Sequence, residues 1–142
     1  MRIQDLMSRS VVHVSADAAV AVAREMLLSG EIDHLVVMDG KRIAGVLSGH
    51  DLTGQADERP VSEVMRRPVV TIDPQATLRR AAGVMRGRAV GCLPVVDDGK
   101  LVGIVTTSDF LTAIAKGEVH AAPPRERTTQ RRPSRKRPSA IT

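Results

Sequence analysis

The chain has 142 residues, 42% hydrophobic and 26% charged, a size and balance that suit one soluble globular unit with a real core. It has no run near the ~18 apolar residues that a membrane span needs, no apolar signal segment in "MRIQDLMSRS", and a single cysteine, Cys92, which alone makes neither an internal disulfide nor a metal site; a cytoplasmic protein without membrane contact is expected. Phe110 is the only aromatic residue besides the four histidines, and the whole net charge of +5 falls in residues 118–142, because residues 1–117 carry 14 basic and 14 acidic side chains; the rest of the chain lacks the stacking rings and positive charge of a single-strand nucleic-acid binder.

In chain order, "VVHV" (11–14) predicts a short strand. A helix follows, with Val20, Ala23 and Leu27 on one face at i, i+3 and i+7, and Gly30 ends it. "HLVVM" predicts a buried strand, "DGK" (39–41) an Asp-Gly turn, and "RIAGVLS" the second strand of a hairpin. "HDLTG" opens a closing helix. The polar stretch "TGQADERP" (53–60) predicts a linker.

The same series then runs again. "VVTI" (69–72) predicts a strand, and Asp73 before Pro74 a helix start. Leu78, Ala81 and Met85 repeat the helix face. "CLPVV", "DDGK" (97–100) and "KLVGIVT" repeat the hairpin, with Pro94 marking a strand edge, and "SDFLTAIAK" repeats the closing helix. A shift of 58 residues lays one series on the other without a gap: Leu35 meets Leu93, Gly45 meets Gly103, and "GVLSGHDL" (45–52) meets "GIVTTSDF" (103–110). Each copy is strand, helix, strand, strand, helix. At about 50 residues, one copy is near the lower limit for independent stability. The expected fold is therefore α/β, with two repeats, 1–58 and 59–117, packed about a pseudo-twofold axis. Residues 118–142 hold four prolines and seven basic residues, and a disordered basic tail is expected there.

Several residues admit two readings. Ser48 with Asp51, and Thr106 with Asp109, fit helix capping boxes. They equally fit a diol-binding site, since a carboxylate accepts two hydrogen bonds. Gly45 and Gly103 inside strands indicate either ligand approach or tight packing against a neighbouring helix. Cys92 reads as a small buried apolar residue or a redox switch. His13, His34, His50 and His120 have no metal-ligand spacing, and nothing in the chain forms a catalytic constellation.

The doubled layout, with Gly, two aliphatics, Ser or Thr, two spacers and Asp closing each copy, resembles a tandem pair of cystathionine β-synthase (CBS) domains, the Bateman module. "CLPVVDDGKLVGIVTTSDF" is very close to the family pattern, and "HLVVMDGKRIAGVLSGHDL" departs from it at Val36. The resemblance covers roughly residues 1–116. It implies a non-catalytic regulatory module that binds AMP, ADP, ATP or S-adenosylmethionine between the repeats as a regulatory ligand, with no covalently required cofactor. Asp51 and Asp109 would then hold ribose hydroxyls, with Ser48 and Thr106 beside them. The base would lie against Val12, Val70, Ile32 and Val90, with His34 and Cys92 as neighbours. A homodimer through helix faces bearing Val22, Met26 and Val84, which signals to a protein target, is also implied. Two other readings stand beside it: an adaptor that binds nucleic acid weakly through the basic tail, and a structural dimerisation module with vestigial sites.

Overall fold

A computed structural model describes residues 1–117. The expectations placed on residues 118–142 lie outside the described residues. Residues 1–111 form one compact unit, and a second begins at Thr112, described only as far as Gly117. Within that second unit the last helix ends, with the Lys116 N–H bonded to the Thr112 carbonyl.

The element order is α1 (Ile3–Leu6), β1 (His13–Ser15), α2 (Val20–Gly30), β2 (His34–Asp39), β3 (Arg42–Ser48), α3 (Gly49–Leu52), a 3₁₀ turn (Val61–Glu63), α4 (Leu78–Arg88), β4 (Cys92–Asp97), β5 (Lys100–Thr106) and α5 (Thr107–Ala115). From α2 onward, the two halves of the fold follow the 58-residue register of the sequence. Val20, Ala23 and Leu27 are the buried residues of α2, and Leu78, Ala81 and Met85 those of α4, as the periodicity predicts. Both hairpins are antiparallel, and each carries a bulge, after Val37 and after Val95. In the second turn Asp98 and Gly99 both take positive φ, the condition for a tight hairpin.

The strand predicted from "VVTI" is the main departure. In the first repeat β1 pairs in parallel with β2, and the ladder uses the N–H groups of Val36 and Ala16 as donors to Val12 and Met38. The equivalent positions in the second repeat are Pro94 and Pro74, which have no N–H to give. Only the bridge between Ile72 and Val95 remains. Pro94 thus truncates pairing on its side of β4, yet it is itself buried inside the strand.

The predicted helix start at Asp73–Pro74 is a turn instead. The Gln75 N–H donates to Asp73 Oδ1 at 2.7 Å, and the helix begins four residues later, capped by Thr77, whose Oγ1 accepts from the Arg80 N–H at 3.1 Å. The carbonyls of Pro74 and Ala76 are engaged elsewhere, accepting from the N–H groups of Gln4 and Ile3, so they cannot close a helical turn. Gly30 is the last residue of α2, but the left-handed capping conformation falls on Glu31, φ 51.

Those bonds from Ile3 and Gln4 belong to a reciprocal exchange. The N-terminal segment of the first repeat packs on the second, where Ser8 and Ile104 exchange two backbone bonds of 2.9 Å. The opening segment of the second repeat packs on the first, where Val61, fully buried, joins a core of Val14, Leu35, Val37 and Leu47, and Arg66 pairs with Val46. The exchange also explains the strand glycines. A Cβ on Gly45 would lie 2.6 Å from Met65 Sδ and 2.9 Å from the Arg66 carbonyl; on Gly103 it would meet Met7 Sδ and the Ser8 carbonyl at the same distances. The close neighbour is an exchanged segment, where the sequence offered a helix or a ligand.

Candidate functional site

At the end of β3 the chain turns into α3. The backbone N–H of Ser48 donates to Asp51 Oδ2 at 2.8 Å, and its hydroxyl donates to the same oxygen at 3.2 Å. At the end of β5, Thr106 and Asp109 repeat both bonds at the same lengths. Each carboxylate thus spends one oxygen on the capping contact and keeps the other, Oδ1, for a second partner. Capping and ligand binding are compatible here because they use different oxygens.

Each aspartate lines a cleft whose opposite wall comes from the other repeat. The Asp109 cleft, about 330 Å³, sets Thr106 and Ile104 of the second repeat against Val12, Ile32 and His34 of the first. The Asp51 cleft, about 230 Å³, sets Ser48 and Val46 against Val90 and Cys92. Nine of the ten residues singled out from the sequence line these two clefts. Val70 does not; it lines a shallow depression beside α4 with Val84 and Arg88. The reason is local. Pro94 cannot donate to the Val70 carbonyl as Val36 does to that of Val12, so nothing ties Val70 to the sheet edge where Val12 is held.

Sequence reasoning missed the polar wall residues. Ser8, Ser10, Glu31 and Asp33 line the Asp109 cleft, and Arg66 lines the Asp51 cleft. Arg66 Nε donates to Asp51 Oδ1 at 3.0 Å, and the Asp51 side chain is only 10% exposed. Among the described residues no basic side chain pairs with Asp109, and Ser8 stands where Arg66 stands in the other copy. The 58-residue register already set Ser8 opposite Arg66, so the difference was readable. Their places in the clefts were not, because the segment exchange puts them there.

His34 lines both clefts, and its ring lies against Gly91, with Nε2 3.6 Å from the position of a Cβ there. Burial lowers its pKa from the ordinary 6.5, against the opposing pull of Asp33 and Asp51. Burial, aided by the Asp51 charge, pushes the Cys92 thiol up from 9.0 to about 11. Cys92 is therefore a protonated, buried thiol at neutral pH and lacks the thiolate character of a redox switch. Among the described residues no group of His, Cys, Asp and Glu is placed to hold a metal ion, and no helix is long and apolar enough to cross a membrane.

The CBS domain family matches the chain twice, over residues 3–56 and 61–116. The chain is 31% identical over 132 residues to a CBS domain-containing protein of Dictyostelium discoideum, covering 80% of this chain and 91% of that one. It is also 31% identical over 115 residues to the homoserine O-acetyltransferase of Methanocorpusculum labreanum, covering 79% of this chain but only 24% of that enzyme. Among solved structures, it resembles a CBS domain pair in complex with 5′-methylthioadenosine and S-adenosyl-L-methionine, with TM-score 0.75, 24% identity, and coverage of 84% of this chain and 98% of that one.

Proposed function

This chain belongs to the CBS-domain family, with two copies of the domain, and on that premise we propose that it is a non-catalytic regulatory module sensing an adenosine-containing ligand in the clefts between its repeats. One observation carries this reading. Each motif aspartate is anchored through one oxygen and keeps the other, and it does so beside an aliphatic wall contributed by the opposite repeat. The second oxygen, unpaired among the described residues in Asp109 and held by Arg66 in Asp51, suits a ribose hydroxyl, and the wall suits the face of a base without an aromatic partner. A ligand that touches both repeats binds one relative arrangement of them better than another, which is what a sensor requires. The pair that binds adenosine derivatives in the same fold supports the ligand class. The match to enzymes extends only to their CBS portions, so any catalytic partner would be a separate domain or protein.

The reading includes a homodimer. Of the residues expected on the dimer face, Val22 is 48% exposed while Met26 packs against the core of its own repeat; Leu28, 72% exposed, adds apolar surface on α2 that a second copy would cover.

The test is a melting screen of the full chain with adenosine, AMP, ADP, ATP and S-adenosylmethionine. A ligand present at a hundred times its dissociation constant adds about 2.7 kcal/mol to the folded state. Asp51→Ala and Asp109→Ala are each expected to remove one site in titration calorimetry. The absence of any ligand-dependent shift in the wild-type chain would refute the reading.

A further inference from the structure

The two clefts are built from equivalent backbone positions, but their charges differ. The Asp109 cleft is walled by Glu31, Asp33 and Asp109, and among the described residues no lysine or arginine lines it. At the equivalent positions the Asp51 cleft has Ala89, Gly91 and Asp51, and it adds Arg66. Among the described residues, one cleft therefore holds three carboxylates with no lysine or arginine, while the other holds one carboxylate paired with one guanidinium. Carboxylates lining a cleft repel a phosphate, and Arg66, opposite Ser8 in the register, attracts one with paired, directional hydrogen bonds.

We propose that the two clefts divide adenosine ligands by charge: the Asp51 cleft takes a phosphate-bearing nucleotide through Arg66, and the Asp109 cleft takes a nucleoside derivative with no net negative charge. This rests on the adenosine reading above and adds the ligand class of each cleft. In the Asp51 cleft, Arg66 Nε occupies the oxygen that a ribose would use. A nucleotide resolves that competition in one exchange: its ribose hydroxyls donate to Asp51 Oδ1, and the released guanidinium turns to the phosphate. The Arg66 side chain is 56% exposed and hangs from a backbone fixed to Val46, so it can turn without disturbing the fold. A nucleoside without phosphate breaks the ion pair and gives Arg66 nothing in return. In the Asp109 cleft no ion pair stands in the way among the described residues, and Glu31 and Asp33 add attraction for a cationic group such as a sulfonium or ammonium.

The experiment is titration calorimetry of the full chain and single variants with three probes: AMP, adenosine and S-adenosylmethionine. Arg66→Ser is expected to weaken AMP about ten- to a hundredfold, the loss of a charged hydrogen bond, and to leave adenosine and S-adenosylmethionine binding in the Asp109 cleft nearly unchanged; with Asp51 Oδ1 freed, adenosine gains access to the Asp51 cleft as well. Asp51→Ala abolishes AMP binding and spares the other two; Asp109→Ala does the reverse. The double change Glu31→Ala with Asp33→Gly, which copies the other cleft, reduces S-adenosylmethionine affinity. Arg66 and Glu31 are exposed side chains, so these variants carry the test even if an aspartate variant melts. AMP affinity that is indifferent to Arg66, or that is lost with Asp109 and kept without Asp51, overturns the charge division while the adenosine reading stands. No binding of any probe by the wild-type chain overturns both.

Discussion

The Asp109 and Asp51 clefts share a hydroxyl–aspartate cap, and His34 lines both, but the charged groups around that cap differ, while the cores beneath them stay apolar at paired positions. Leu35 and Leu93, Val37 and Val95, and Ala23 and Ala81 are identical pairs at 58-residue spacing, all buried. Glu31 and Ala89, Asp33 and Gly91, His34 and Cys92, and Ser8 and Arg66 are the dissimilar pairs, all lining a cleft. Other buried pairs change size but stay apolar, such as Val14 and Ile72, Val20 and Leu78, and Leu47 and Val105, so each half packs its own complementary set of side chains. A cleft position meets solvent or a ligand, so its chemistry can change without cost to the fold. In this duplicated chain, paired positions that both stay apolar serve packing, and paired cleft positions that change charge serve specificity.

The comparison can be pressed hardest at the core. Leu35→Ala and Leu93→Ala each empty a fully buried site, and both are expected to cost about 2–5 kcal/mol. Denaturant unfolding of the two variants should give similar losses if the repeats are structurally equivalent; a difference of several kcal/mol would break that equivalence.

The thiol gives the next largest effect, and it is confined to one repeat. Cys92 is raised from 9.0 to about 11 in the folded state. Stability held below pH 9 is therefore lost as pH rises toward 11, because only the unfolded chain releases the proton easily. The wild type should lose up to about 2–3 kcal/mol across that window relative to Cys92→Ala, measured by urea unfolding at matched pH. Parallel curves for the two proteins would show that the cleft does not shield the thiol.

The exchanged segments come third. Gly45→Ala and Gly103→Ala drive a methyl into a methionine sulfur and a backbone carbonyl, at an expected cost of about 1–3 kcal/mol each. Equal losses in the two variants would confirm that the exchange is reciprocal.

Helix capping separates the repeats again. Thr77→Ala should cost about 1 kcal/mol, since Thr77 caps α4. Ala19→Thr at the equivalent place should gain only a few tenths of a kcal/mol, because the Val22 N–H that a threonine would take already donates to the Ala19 carbonyl, and the Arg59 and Asp57 carbonyls accept from Val20 and Ala21. Thermal melts that showed a full gain from Ala19→Thr would contradict this. The smallest effect is at His34. Burial lowers its pKa below 6.5, so its neutral form is favoured in the fold, and stability is lost as pH falls through 6.5. His34→Gln should flatten that decline in melts between pH 5 and 7.

By itself the sequence determined most of the local structure, apart from the start of α4 and the strand expected at 69–72. The faces of α2 and α4 follow from apolar spacing of 3.6 residues per turn, the hairpins from Asp-Gly turns between β-branched runs, and the capping aspartates from a hydroxyl three residues before a carboxylate. The ungapped register of 58 residues determined that the whole was doubled. Tertiary structure alone decided which wall faces which aspartate, that the opening segments trade places, and that Arg66 lands on Asp51. It also decided that Val70 leaves the cleft, although Pro94 and Pro74 carry the reason in their missing N–H groups. The physical division is one of distance along the chain. Backbone propensity and side-chain periodicity act over a turn or two, whereas the contacts that build both clefts join residues tens of positions apart, and those are chosen by how two apolar faces pack.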